Sequence, residues 1–351
     1  MMSELSLSFR IVEPMMFRGP GEFDPFVRGI FSRALSLSLP TPSTIAGSLA
    51  TYCISQLGRP IPKGEDWIER YREVLGDAII RGPLLKVDNE LFVEDKTLNA
   101  FLSIEELKEK CHKEYEKFKI VKSLEELDKY LELKDFKSKI GVEREVRVGV
   151  ALDSRDKGMK VAKIGYLYGA EYINYRALFR KKNMVRAVEI LADLRGGVAE
   201  ELIKLYGKRP IKLGGELRIA LLAFKKGLRI IEEVKRRLWH NKEEYSGVLA
   251  LYLATPALFK GGKEIREHVK DWVTKKGHDF IGMSGESEPI GAGFTIDGKR
   301  KPIYVSLKPG SIIFIKGFFK LSECYWSGIG EAIELGYSTF IPIPLTSYGH
   351  K

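Results

Sequence analysis

Period-two strands and amphipathic helices, in an order that occurs twice, predict an α+β chain. The reading is of two tandem ferredoxin-like (RRM-like) βαββαβ domains packed together, with a helical insertion in the first. The N-terminal domain spans residues 1–232, with the insertion at about 60–140, and the C-terminal domain spans 233–351.

In the first domain, Leu5, Leu7, Phe9 and Ile11 alternate with Ser6, Ser8 and Arg10, the signature of a half-buried strand. A loop rich in glycine, proline and arginine follows, FRGPGEFDPFVRG. Thr41 then reads as a helix N-cap and Pro42 as a first-turn residue, where the missing N–H costs nothing. Ile45, Leu49, Tyr52, Cys53 and Leu57 form one apolar face, and Gly58 ends the helix in the left-handed conformation. In the insertion, Ser103–Glu106 and Ser123–Glu126 fit the capping box and each opens a charged helix. Strands resume at residues 147–152 (RVGVAL) and 166–173 (YLYGAEYI), and a helical stretch runs over 183–206, interrupted at Gly196 and Gly197. Gly214 and Gly215 turn the chain into a last strand, ELRIALLAF.

The charged stretch 229–244 reads as a helical connection between the domains. Beyond it lie a strand at 248–254 and a helix at 263–276, with Ile265, Val269 and Trp272 on one side. Short strands at 280–283, 291–296, 303–306 and 311–316 follow, then a short helix at 328–335 capped by Gly336 and a final strand at 339–345.

The chain has 351 residues, a formal net charge of +11 and a pI of about 9.3. Lysine and arginine in such surplus favour a polyanionic partner, because they release counterions condensed on phosphates. A merely lysine-rich protein is the equal alternative on composition alone. Cys53, Cys111 and Cys324 lie far apart and form no CxxC pair, which argues against a zinc site or a disulfide framework and fits a reducing cytosol. The apolar runs fall short of the ~20 residues that span a bilayer, so a cytoplasmic protein without a membrane partner is expected.

Catalytic signals are sparse. There is neither a G-x-x-x-x-G-K-[ST] loop nor an H-E-x-x-H pair. The G-x-G fragments lack the strand–helix setting of a dinucleotide fingerprint, and the histidines are scattered. No enzyme activity, cofactor or metal is expected. Lys316–Gly317–Phe318–Phe319 looks like a fragment of the RRM aromatic signature, yet core packing accounts for it as well.

The candidate binding residues are basic or permit close backbone approach. Arg18, Arg28 and Arg33 surround the loop glycines and lead to a helix start carrying Ser43, Thr44 and Gly47. Guanidiniums beside a helix N-terminus make a phosphate grip, while solvated loop arginines are the plain alternative. Gly214, Gly215 and Arg218 form a tight turn, with Glu216 between them. Lys299, Arg300 and Lys301 lie in a hairpin. Tyr337, in a glycine-containing loop, is the candidate for stacking on a base.

These segments have a family likeness. MMFRGPGEF followed by PTPSTIAGSL resembles the opening of the RAMP proteins that form the third subunit of the type III-B CRISPR (Cmr) effector complex. The likeness continues in order through RVGVAL, LGGELRIALLAF, YLATPALF, KPGSIIFIKG and ELGYSTFIPIP. One departure is Leu335–Gly336–Tyr337–Ser338, where the family often has a second glycine in place of the serine. The resemblance implies a non-catalytic subunit that holds the 5′ tag of the CRISPR RNA. It would contact the large palm-domain subunit and the backbone subunit. A type III-A counterpart, a precursor-cleaving RAMP endoribonuclease and a scaffold binding only protein are the alternatives.

Overall fold

The computed structural model describes residues 3–19, 33–64, 66–121, 143–153, 161–175, 187–205, 207–291 and 302–345. Its strands are β1 (Glu4–Ile11), β2 (Arg33–Ala34), β3 (Ile79–Val87), β4 (Glu90–Asp95), β5 (Ala100–Ser103), β6 (Arg144–Asp153), β7 (Val161–Ile173), β8 (Val188–Arg195), β9 (Lys208–Lys212), β10 (Ile219–Lys226), β11 (Glu244–Leu253), β12 (Ala257–Phe259), β13 (Asp279–Ser284), β14 (Ser287–Gly291), β15 (Ile303–Leu307), β16 (Ile312–Lys320) and β17 (Phe340–Leu345). The helices are α1 (Pro42–Leu57), α2 (Trp67–Leu75), α3 (Ile104–Val121), α4 (Ala199–Leu202), α5 (Arg229–Val234), α6 (Ile265–Lys275) and α7 (Leu321–Trp326).

β1 lies inside a seven-stranded sheet of order β5-β4-β3-β8-β1-β10-β9. Leu5, Leu7, Phe9 and Ile11 enter the core as their alternation requires, and Leu49, Cys53 and the rest of the α1 face pack there too. The run β1–α1–β3–β8–α4–β10 is a βαββαβ unit whose strands sit in the order fourth, first, third, second, each antiparallel to its neighbour. Two of its strands are not those read from the sequence. RVGVAL and YLYGAEYI are strands, but β6 and β7 pair with each other and with β2 in a separate small sheet. Alternation reports one buried face; it does not say which sheet provides the cover.

The second strand, β3, comes from the stretch expected to be an insertion. There β3, β4 and β5 extend the main sheet instead. Gly82–Pro83 interrupts the pattern, and the β3–β8 register shifts between Arg81 and Leu84. The third strand, β8, replaces most of the expected helix at 183–206, of which α4 remains. Its burial runs almost unbroken from Val188 to Leu194, so it shows no period-two signal. Thr41 and Gly58 cap α1 as expected, and the Ser103–Glu106 box closes at the start of α3, the Ser103 N–H donating to Glu106 at 2.7 Å. Ser123–Glu126 lies outside the described residues.

A second βαββαβ run, β11–α6–β13–β16–α7–β17, builds a four-stranded sheet of order β13-β16-β11-β17, again with the first strand between the third and fourth. Between β13 and β16, β14 and β15 pair with β12 as a third layer. The expected strand at 291–296 is described only to Gly291, the end of β14. The helix expected at 328–335 shrinks to a 3-10 turn, Ile333–Leu335. Before it, the Glu331 N–H donates to the Leu258 carbonyl at 2.8 Å, so the backbone pairs with β12 rather than with itself.

The two sheets share buried polar contacts. Asp193 on β8 accepts from the Ser6 hydroxyl (2.6 Å), from the N–H groups of Arg229, Ile230 and Ile231 (3.0–3.2 Å) and from the Tyr325 hydroxyl (3.0 Å). It thereby caps α5, whose own N-cap Leu228 cannot. α5 and the π-helical turn Lys235–Trp239 form the expected helical connection. Arg81, in register with Asp193, donates to the carbonyls of Tyr325, Ser327 and Ile333 at 2.8–3.0 Å and also to that of Trp326. A second joint sets buried Asp95 against Lys110 (2.5 Å) and Tyr252 (2.8 Å), with Lys110 also donating to the Gly310 carbonyl (3.0 Å).

Replacing Asp193 by Ala would leave several buried donors without an acceptor. Urea unfolding should show a loss of about 3–5 kcal/mol. A loss below about 1 kcal/mol would mean that the joint is not what orders the two halves.

Candidate functional site

β10 runs antiparallel to β1 and pairs Ala220 with Ile11, so the turn before β10 lies beside the chain leaving β1. That turn is the glycine pair. Gly214 has φ +82°, and a Cβ there would sit 2.3 Å from the Met16 carbonyl oxygen. The Gly215 N–H donates to that same oxygen at 2.8 Å. Glu216 and Leu217 follow, both left-handed, and the Leu213 N–H closes the loop on the Arg218 carbonyl at 2.8 Å. The strained turn is pinned to the Met15–Gly19 segment, where Arg18 bridges to Ser36 and is exposed. Arg18, Gly214 and Gly215 therefore share one surface despite nearly two hundred intervening residues.

Arg218 is held within the protein. It donates to Glu13 at 2.8 Å, and its guanidinium lies 4.4 Å from the centre of the Tyr172 ring, which Arg147 also covers at 5.0 Å. Glu13 accepts as well from the Ile219 N–H at 2.7 Å. Burial raises the Glu13 carboxyl, but the Ile219 N–H and Arg218 outweigh it and hold the group below the ordinary carboxylate range. The candidate phosphate ligand Arg218 is thus an orienting residue of the turn. Glu13, Arg147 and Tyr172 completing this arrangement had no sequence signal, since they meet only when β6, β7 and β10 converge.

The helix start differs from the expected open grip. Thr41 Oγ1 accepts from the Thr44 N–H at 3.3 Å and lies 3.0 and 2.9 Å from the hydroxyls of Ser43 and Thr44. Tyr337 is 3% exposed and donates its hydroxyl to Ser43 Oγ at 3.1 Å, its ring meeting Trp67 edge-on at 6.4 Å. Tyr337 is therefore a core residue, not a platform for a base: Gly336, at φ +100°, turns it inward. Gly47 leaves room for Tyr71, whose hydroxyl would meet a Cβ at 3.3 Å. Its role is helix packing of α1 on α2.

Arg33 lies in β2, paired in parallel with Gly169 of β7. Arg28, Lys299, Arg300 and Lys301 lie outside the described residues. The KGFF fragment divides: Phe319 is core, while Phe318 is 58% exposed. Around the glycine turn and the β6–β7 hairpin, Leu217 (71% exposed) and Val148 (70%) add apolar surface beside the arginines.

A family model for the CRISPR-associated protein Cas_Cmr3 matches residues 93–319. The chain belongs to the Cmr3 family. The Cmr3 subunit of the CRISPR system CMR from Saccharolobus solfataricus is 26% identical over 310 residues, covering 86% of this chain and 83% of that protein. Among solved structures, a chain of the type III-B Cmr-beta complex bound to cognate target RNA and AMPPnP superposes with a TM-score of 0.56 at 21% identity, covering 88% of this chain and 86% of that one. The same complex with cognate target RNA alone superposes equally well. These similarities establish a shared mixed α/β fold with several antiparallel sheets in this Cmr3-family chain.

Gly214→Ala would force a side chain into the Met16 carbonyl at a left-handed φ. It should cost about 1–3 kcal/mol in thermal or urea unfolding. Because the folded pKa of Glu13 is depressed, its contribution is present above the unfolded carboxylate pKa and is lost as pH falls through the folded value. Hydrogen exchange at the Gly215 and Ile219 amides should accelerate across that acidic window beyond the intrinsic rate, and Glu13→Gln should remove the pH dependence.

Proposed function

We propose that the chain holds CRISPR RNA without cutting it, as the third subunit of a type III-B Cmr effector complex. In this reading it grips the 5′ tag of the guide and bridges the large palm-domain subunit to the backbone subunit. The two βαββαβ runs then form a pair of ferredoxin-like domains of the RAMP superfamily. One observation carries the proposal: exposed Arg18 stands on the segment to which the glycine turn is pinned, through the 2.8 Å bond from Gly215 to Met16. A guanidinium beside backbone that has no Cβ at its surface can meet a phosphate closely and without regard to base. Membership of the Cmr3 family and a net charge of +11 support the same reading.

The settings of three of the histidines favour a subunit without nuclease activity. His112 Nδ1 is within 2.8 Å of the Lys108 carbonyl, and the rings of His268 and His278 pack on Phe259 and Phe319. A general base would need an open face toward substrate.

Two measurements test the proposal. With single-stranded tag RNA the log–log salt slope is about −0.7 per phosphate neutralised, so Arg18→Ala should weaken binding to all tag sequences and flatten the slope by about 0.7. An unchanged affinity and slope would remove this surface from RNA binding. Purified protein incubated with repeat RNA, with and without divalent metal, should leave it intact; specific cleavage abolished by a histidine or glutamate substitution would refute the non-catalytic reading.

A further inference from the structure

The face of the seven-stranded sheet opposite α1 carries a second concentration of positive charge. Residues paired directly across antiparallel strands point to the same side. Register therefore sets Lys86 of β3, Glu189 of β8 and Arg10 of β1 in one row. The next row carries Ser8, Ala223 and Lys208 of β9. Glu189 does not pair with its neighbour Arg10. It is shared between Lys225 at 3.2 Å and Lys86 at 3.7 Å, all three side chains being 16–25% exposed. Arg10, Lys208 and Arg229 are exposed around this triad.

Two lysines thus share one carboxylate, with Arg10 beside it in register and Arg229 acting on Lys225. Burial, opposed by Glu189 but reinforced by Arg229 and Lys86, holds the Lys225 ammonium below the ordinary lysine range. Such a surface works against its own repulsion and gains when an anion approaches. Its composition also selects the kind of anion. Lysine is depleted from protein–protein interfaces, whose centres are poor in charge, and Leu221 is the half-buried apolar member of the Arg10 row. Backbone phosphates need only positive charges spread over an open surface.

We infer that this sheet face is a second contact surface for single-stranded RNA, gripping backbone phosphates through Arg10, Lys208 and Arg229 with Lys86 and Lys225 behind them. It shares no residue with the Arg18–glycine-turn surface and rests on the RNA-binding reading given above. The two surfaces would hold successive lengths of one strand, the first beside the chain leaving β1 and the second across the sheet itself.

The test is anisotropy of a labelled oligouridine probe with the full chain, titrated with salt. Arg10→Ala combined with Lys208→Ala removes exposed side chains, and a thermal melt should be unchanged. The log–log slope should flatten by about 1.4, which is roughly a sevenfold smaller loss of affinity between about 50 and about 200 mM salt. Adding Arg18→Ala should flatten it by a further ~0.7, as independent contacts require. Glu189→Gln frees two lysines and should tighten binding; weaker or unchanged binding would overturn the proposal. If the double variant keeps the full slope while Arg18→Ala alone lowers it, the sheet face is excluded and the first surface stands. If neither alters the slope, both surfaces are excluded. Labelled polyglutamate whose binding is lost in the double variant, with oligouridine binding unchanged, would assign the face to an acidic protein segment and overturn the inference.

Discussion

Two charged side chains side by side in the first sheet set the relation between its halves. Asp193 on β8 and Arg81 on β3 are in register, and both are buried. A buried charge is tolerable only when its hydrogen-bonding capacity is filled. Asp193 fills its own with five donors from β1, the start of α5 and Tyr325 of α7. Arg81 fills its own with carbonyls at the end of α7 and in the 3-10 turn. Neither half provides these partners alone. The second sheet must therefore dock in one orientation, and the Asp95–Lys110–Gly310 contact at the end of β4 holds it there.

That constraint has consequences for the two basic surfaces. The second half covers Leu84 and Leu191, while Arg10 and Lys208 on the same outer face of the first sheet stay exposed. The glycine turn sits beside the chain leaving β1, because β10 must begin where β1 finishes. A single topological feature, the fourth strand antiparallel to the first, thus brings the turn to Arg18.

Much of the local structure was legible in the residues. Thr41, Pro42 and Gly58 bound α1, and the alternation in LSLSFRI gave β1 with its core face; these depend on capping geometry and on the pleat, which neighbouring residues set by themselves. The glycine turn was legible for the same reason. The strand order expected of the first domain was reached with the wrong second and third strands. β8 is covered on both faces and so carries no alternation, while β3 is broken by Gly82–Pro83 and shares the 60–140 stretch with a Lys/Glu-rich helix whose composition dominates it.

Family likeness and basic charge could likewise be read before any fold was known, because both are properties of the chain. Exposure could not. Tyr337 looked accessible in a glycine loop, and the tertiary structure buries it against Ser43 and Trp67. Arg218 read as a candidate binding residue, and Glu13 and Tyr172 hold it. Arg10 passed as the polar side of a strand until register placed it beside Glu189, with Lys86 on the next strand beyond. Where the chain turns, caps and alternates follows from neighbouring residues, since those energies are local. Which charges are satisfied inside and which stay exposed depends on contacts between residues far apart in the chain, and so on the folded arrangement.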